Sequence, residues 1–478
     1  MTDAQDYIGG NWVEVTSRRQ VRNPARQQEV LGTIGLSGES EVNAAVEAAA
    51  EAFRGWKKLG MVARGNLLFQ AAAVLDAHVD ELAEVATREM GKPWGESRGE
   101  ALRAVAILRY YAGEGYRPVG DVIPAASAQA LQYTVREPLG AVAVITPWNF
   151  PLAIPVWKMA PALIYGNTVV VKPAEWSSLT AARIFELIAP IFPPGVVNLV
   201  LGLGTDAGEA LIQHPQIQAI SFTGSTTVGA RIAETATRRN IKYQTEMGGK
   251  NPVIVAADAN LDLAVEAVVS GAMRSAGQKC TATSRVIVLE AVHQAFRDKL
   301  AARVRALKQG DPLDPDTFLG PVVSASQHQK IMDYIAVGAR EGAELIVGGD
   351  LADTALKDGF YIPPTLFDRV SETATIAQEE IFGPVVGITP VATIDAAIAA
   401  ANRVRYGLSA SVFTQNLQTA LTFVEEIEAG MVRVNDETAG VELQAPFGGV
   451  KASSSHSREQ GRAAMEFYTH VKTVAIKP

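Results

Sequence analysis

Polar and apolar positions along the chain fall into two textures. From Val42 the apolar residues Val42, Val46, Ala49, Phe53 and Trp56 recur at three- and four-residue steps, which predicts an amphipathic helix capped by Ser40. A second stripe, Leu67, Leu68, Ala71, Val74, Leu75, Val79, Leu82 and Val85, predicts one helix over 66–90 that stops at Gly91-Lys92-Pro93 and carries His78 as a structural residue. A third helix is predicted over 100–112. The run from Gln129 to Arg136 then alternates, as an exposed ribbon strand would, and such an edge invites a partner chain.

Beyond the ribbon, short β-branched runs alternate with helical segments. Strands predicted at 141–146, 168–171, 196–201 and 219–222 are each followed by a helix, the signature of βαβ units around a buried parallel sheet whose ligands sit at the carboxyl ends of the strands. A second series starts at Pro252-Val253-Ile254-Val255. It continues through a helix over 261–275 and strands at 285–289, 345–347, 385–388, 409–413 and 431–434. The fold class read from this pattern is α/β, with two domains. The strand-like tail, 468–476, is expected to pair with the ribbon or with another subunit.

Composition narrows the function classes. The chain has 478 residues, 48% apolar and 20% charged, which suits compact domains with ample core. Its 43 Lys and Arg against 51 Asp and Glu give a formal charge of −8 with no basic block, so nucleic acid and anionic membranes are not expected partners. The polar, acidic start Met1-Thr2-Asp3-Ala4-Gln5-Asp6 lacks a signal-peptide pattern and no apolar run reaches spanning length. A cytoplasmic protein is expected.

Cys280 is the only cysteine, which excludes an internal disulfide and a multi-cysteine metal site and leaves two readings, a buried filler or a reactive thiol. The neighbouring Gly271, Gly277, Gln278 and Lys279 and the small polar residues that follow make a poor core segment, and predict an exposed, electropositive thiol. Phe222-Thr223-Gly224-Ser225 precedes a helix whose N-terminus suits a phosphate, although a plain turn fits the same residues. Gly248-Gly249-Lys250 fails the P-loop pattern because Asn251 follows it. Lys172 and Glu175 lie just past a strand, where an acid can accept from ribose hydroxyls and repel a 2′-phosphate, although solvated loop charges fit the same positions. In Thr146-Pro147-Trp148-Asn149-Phe150-Pro151 two prolines stiffen the turn around Asn149, a side-chain amide suited to an oxyanion. Glu246, before two glycines, is a candidate base; it and Glu380 can equally be surface carboxylates.

Together Pro147-Trp148-Asn149-Phe150-Pro151, Phe222-Thr223-Gly224-Ser225, Glu246-Met247-Gly248-Gly249-Lys250, Gly277-Gln278-Lys279-Cys280, Glu380-Ile381-Phe382-Gly383-Pro384 and Pro446-Phe447-Gly448-Gly449 resemble the aldehyde dehydrogenase superfamily across essentially the whole chain. Within it, Arg109 to Gly115, Cys280 to Arg285 and Ser453 to Gly461 are similar to the α-ketoglutaric semialdehyde (2,5-dioxovalerate) dehydrogenases. The resemblance implies a Rossmann-type cofactor domain at 1–126 and 142–246, a second α/β catalytic domain at 247–464, and a β-ribbon oligomerisation arm at 127–141 and 465–478. It implies NAD(P)-dependent oxidation of an aldehyde to a carboxylic acid by a homodimer or homotetramer, with no metal.

The implied catalytic set is Cys280 as nucleophile, Asn149 as oxyanion donor, Glu246 as base, and Lys158 and Glu459 around that base. Thr146, Trp148, Lys172, Glu175, Gly224, Ser225, Glu380 and Phe382 would hold the cofactor, and the acidic Glu175 favours NAD, with NADP as the alternative. Trp157, Arg274 and Phe447 are the expected substrate residues. Arg274 is the candidate anchor for a distal carboxylate, because an arginine expected near Trp157 and a serine expected near Val441 are absent, with a surface charge on the 261–275 helix as the alternative. Trp157 and Phe447 also suit small aliphatic or aromatic aldehydes, and a cysteine esterase would use the same thiol without needing Glu175, Gly224 and Glu380.

Overall fold

The computed structural model describes residues 3–349, 351 and 354–478. Five parallel strands form the heart of the first sheet, in the spatial order Lys242–Glu246, Ile217–Thr223, Ala141–Thr146, Thr168–Pro173 and Val197–Leu199. Val142, Val144, Val169, Val170, Val171 and Ile220 are all fully buried, because helices cover both faces of this sheet. From Ala141–Thr146 the chain first moves outward to one side and later returns to the other. That reversal opens a crevice at the carboxyl ends of Ala141–Thr146 and Ile217–Thr223.

The second sheet runs Glu344–Val347, Thr365–Asp368, Val385–Val391, Thr283–Leu289, Asn251–Val255, Ser409–Phe413 and Met431–Val434, parallel except at its first strand. The predicted 409–413 and 431–434 segments coincide with observed strands. A separate three-stranded antiparallel sheet pairs Thr469–Ile476 with Leu131–Pro138, and that strand with Val122–Ile123. The tail thus meets the ribbon within this chain. The sheet also includes Val122–Ile123, outside the segments expected for it, while Ala141 already belongs to the first large sheet.

Several local expectations give way to packing. Ser40 lies inside the helix Glu39–Lys58; the cap is Gly38, whose N–H donates to Glu41 Oε2 at 2.9 Å. The stripe over 66–90 is two helices, Met61–Asp76 and Val79–Met90, broken at His78, whose Nδ1 lies 2.8 Å from the Val74 carbonyl. Its periodicity survives the break because both halves pack on the helix Trp94–Glu114. At the N-terminus, Asp6–Ile8 and Asn11–Val13 extend the first sheet and Arg18–Asn23 pairs with Arg26–Gly35. The register of that hairpin shifts twice, which erases the simple alternation a strand would show. No described helix is long and apolar enough to cross a membrane.

Candidate active site

The segment carrying Cys280 is built by an unusual turn. The helix Leu261–Met273 ends before the predicted 275, and Ser275, Ala276 and Gly277 follow with φ of +55°, +53° and +69°. Three successive left-handed residues are costly for the two that are not glycine, so outside contacts must hold them. Glu96 accepts from Ser275 N at 3.2 Å and from Ser275 Oγ at 2.6 Å. At Gly277 any side chain would run into the Gly383 carbonyl. Gln278 then accepts from Val323 N–H at 3.0 Å. Asn251 closes the far side: its Nδ2 donates to the carbonyls of Cys280 and Ala282 at 2.8 and 2.9 Å, and its Oδ1 accepts from Ser409 N–H at 3.0 Å. The residue that spoils the P-loop pattern therefore fixes the cysteine's backbone.

Cys280 lies against a cavity of about 150 Å³ shared with Trp148, Asn149, Thr223, Gly224, Ser225, Gly248, Glu380 and Phe382. Its surroundings correct the expectation of an electropositive thiol. Lys279 turns away, donating to the Ser270 carbonyl at 3.1 Å, and its own proton affinity is depressed by burial. Desolvation, then the charges of Glu380 and Glu246, push the Cys280 thiol up to about 12, while the N–H groups of Thr281 and Cys280 pull it the other way. At neutral pH the group is a thiol that needs a base.

Glu246 ends the edge strand Lys242–Glu246 and is almost fully buried. One carboxylate oxygen accepts from Ser454 Oγ and the other has no partner among the described residues. Burial first, and then the charge of Glu459, hold its proton affinity well above the ordinary carboxylate range. Glu459 is paired with the buried Lys158, whose Nζ also donates to Ser221 Oγ at 3.0 Å. Asn149 donates through Nδ2 to the Gln278 carbonyl at 3.0 Å, so its amide lies beside the cysteine loop, with Oδ1 unpartnered among the described residues. Ser221 and Glu96 have no role readable from the sequence, Ser454 appears there only within a longer motif, and Asn251 only as the residue that breaks a P-loop pattern. Nothing local marks two serines, a glutamate and an asparagine whose partners lie tens or hundreds of positions away.

The cavity borders a longer cleft of about 610 Å³ at the crevice of the first sheet, lined by Thr146, Trp148, Lys172, Glu175, Gly224, Ser225 and Arg231 among others. Lys172 is buried and donates to the Pro173 carbonyl at 2.9 Å, and desolvation lowers it to about 8. Ser225 accepts from Val228 N–H at 3.4 Å and caps the helix Thr226–Arg238 facing this space. Thr146 Oγ1 and Thr223 Oγ1 are buried without partners among the described residues. Trp148 and Phe382 meet edge to face at 5.5 Å, and Glu380 accepts from Gly249 N–H at 3.1 Å. Gly248 lies against the same carboxylate, which a side chain at that position would have to displace. A cleft with a helix N-terminus, a desolvated cation, a ribose-level acid and unpartnered hydroxyls fits a dinucleotide.

Trp157 and Phe447 pack with ring centroids 5.4 Å apart and planes tilted by 44°, and Phe447 belongs to an apolar cluster against which Val441 and Cys280 pack. Arg274 is not among them. Its side chain is exposed, with the guanidinium 5.3 Å above the Phe318 ring, because the helix ends at Met273 and the chain turns there.

Two α/β sheets bring a cysteine, a buried carboxylate and a side-chain amide together beside a dinucleotide-shaped cleft, the features of a cofactor-linked enzyme class. The model of the Aldehyde dehydrogenase family matches residues 12–474, and the chain belongs to that family. It is 51% identical to the α-ketoglutaric semialdehyde dehydrogenase of Bacillus subtilis (strain 168), over 99% of this chain and 98% of that one. It is 40% identical to the 2,5-dioxopentanoate dehydrogenase of Saccharolobus solfataricus, over 98% of each. The crystal structure of betaine aldehyde dehydrogenase from Staphylococcus aureus in complex with NAD+ superposes with a TM-score of 0.96 at 35% identity, covering 99% of this chain and 95% of that one.

Proposed function

We propose that the protein oxidises α-ketoglutaric semialdehyde (2,5-dioxopentanoate) to 2-oxoglutarate through a thioester on Cys280, with NAD as the favoured cofactor. The observation that carries the reaction is that Cys280 and Asn149 line one cavity beside the dinucleotide-shaped cleft, with Glu246 near enough for its charge to raise the thiol's proton affinity. The relatives named above support the substrate.

Thr146, Trp148, Lys172, Glu175, Gly224, Ser225, Glu380 and Phe382 would hold the dinucleotide, and when bound it supplies a hydride acceptor. Glu246 takes the thiol proton, and the Cys280 thiolate adds to the aldehyde carbon. The Asn149 amide and the Cys280 N–H meet the oxyanion of the resulting thiohemiacetal, a charge that exists only after addition. Loss of hydride leaves a thioester, for which Glu246 activates water; Lys158 and Glu459 tune that base through charge. The raised proton affinity of Glu246 suits it to both proton transfers.

NADH absorbance after addition of 2,5-dioxopentanoate, succinic semialdehyde and simple aliphatic aldehydes tests the reading. The highest kcat/KM is expected for the five-carbon keto acid. Equal values across the panel would leave a broad-specificity enzyme, and turnover of esters alone would leave a hydrolase. NAD is expected to exceed NADP in kcat/KM because Glu175 lines the cleft; NADP as the better cofactor would refute that preference.

A homodimer or homotetramer is expected from the three-stranded sheet, which exposes Val122, Ile123, Leu131, Val471 and Ile476. A monomer in sedimentation at micromolar concentration would contradict it. A cytoplasmic location fits a catalytic thiol that must stay reduced, and fractionation of cells tests it.

A further inference from the structure

We infer that Arg103, on the substrate side of the site, holds the carboxylate at the far end of the keto-acid substrate. The inference rests on the aldehyde-oxidising role proposed above and names the residue that selects among aldehydes. A carboxylate leaving water needs a cation fixed in place, and a planar guanidinium can meet both its oxygens. Arg274 is exposed and lies over Phe318, where water competes for any anion.

Arg103 is in a different situation. It projects from the helix Trp94–Glu114 and is half-buried, with Nη2 donating to the Val441 carbonyl at 2.6 Å and to Gln460 Oε1 at 3.2 Å. Val441 packs in the apolar cluster with Phe447 and Cys280, and Phe447 packs against Trp157, so this guanidinium is fixed to the same cluster that flanks the thiol. Its neighbours on the same helix, Arg98 and Arg109, are tied to Asp80 and Asp76, each at 2.7 Å. Arg103 has no ion-pair partner among the described residues, and its Nε and Nη1 have no hydrogen-bond partner among them. Partial burial lowers its proton affinity and the charge of Glu442 raises it, so the group stays cationic at any working pH. An arginine pinned through one nitrogen, with the rest of its donors uncommitted, is a preorganised carboxylate receptor.

The experiment compares 2,5-dioxopentanoate with pentanal, an uncharged aldehyde of the same length. Arg103→Met is expected to lower kcat/KM for the keto acid by about 10- to 100-fold, mainly through KM, and to leave pentanal within about threefold. Arg103→Lys keeps the charge without the planar fork and is expected to recover part of the loss. Arg274→Ala is expected to lose less selectivity than Arg103→Met. Unchanged selectivity in Arg103→Met, an equal loss for both aldehydes, or a larger selectivity loss in Arg274→Ala would overturn the assignment while the wild-type preference for the keto acid stood. A wild-type enzyme without that preference would overturn both this assignment and the proposed substrate. If Arg103→Met does not fold, Arg103→Lys carries the same test with an expected loss of about threefold to tenfold.

Discussion

Two buried lysine–glutamate pairs, both nearly inaccessible to water, do different work in this molecule. Lys92–Glu100 is completed by backbone: Glu100 Oε1 also accepts from Leu152 N–H at 2.7 Å and Ala153 N–H at 2.9 Å. It clamps the helix Trp94–Glu114 onto the start of the helix Ala153–Ile164, the helix that carries Trp157 and Lys158. Lys158–Glu459 is left incomplete, with Glu459 Oε2 unpartnered among the described residues and its charge felt by Glu246. Full satisfaction marks a pair that holds the fold, and an open valence marks one that can respond to chemistry.

The site and the two pairs beside it can be broken at five points, starting from the largest effect. Cys280→Ala should abolish oxidation, with kcat down by on the order of 10⁴ or more and the melting temperature nearly unchanged; residual turnover above that level would remove the thiol from the mechanism. Glu246→Gln should slow steady-state turnover by about 10²- to 10⁴-fold; a rapid first turnover of NADH followed by slow release would locate the loss in thioester hydrolysis. Glu100→Ala should destabilise by about 3–5 kcal/mol, because it strands the buried Lys92 and two backbone donors, whereas Glu459→Ala should cost catalysis first; chemical denaturation run beside kinetics on both variants would expose a misassignment.

The smallest effect is electrostatic. The charge of Glu459 raises the proton affinity of Glu246, so Glu459→Gln should lower it and move the acidic limb of the kcat profile to lower pH. A limb that stays in place, or moves up, would show that the second pair does not tune the base. In the free enzyme, alkylation of Cys280 by iodoacetamide should rise about tenfold per pH unit up to about pH 10, since its thiol lies at about 12. A plateau near neutrality would mean that the thiol is already ionised.

Much of the fold was legible because buried parallel strands leave continuous β-branched runs, as in Thr168–Pro173 and Asn251–Val255. The N-terminal strands were not, since a half-exposed hairpin with shifted register keeps no clean alternation. In the site, Cys280, Asn149, Glu246 and the cofactor residues stood out through the motifs that flank them. Ser454 and Asn251 did not, because their value lies in contacts to Glu246 and Cys280 made after folding.

The same division holds for charge. By itself the sequence determined the α/β class and offered the lone cysteine and its candidate partners, because those follow from periodicity, residue type and local motif. Only the tertiary structure decided what surrounds the thiol: Lys279, adjacent in sequence, points to Ser270, while burial and then the charges of Glu380 and Glu246, distant in sequence, raise its proton affinity. It likewise set Arg274 in solvent and Arg103 behind Val441. Electrostatic environment depends on burial and on distance through space, and neither is a local property of the chain.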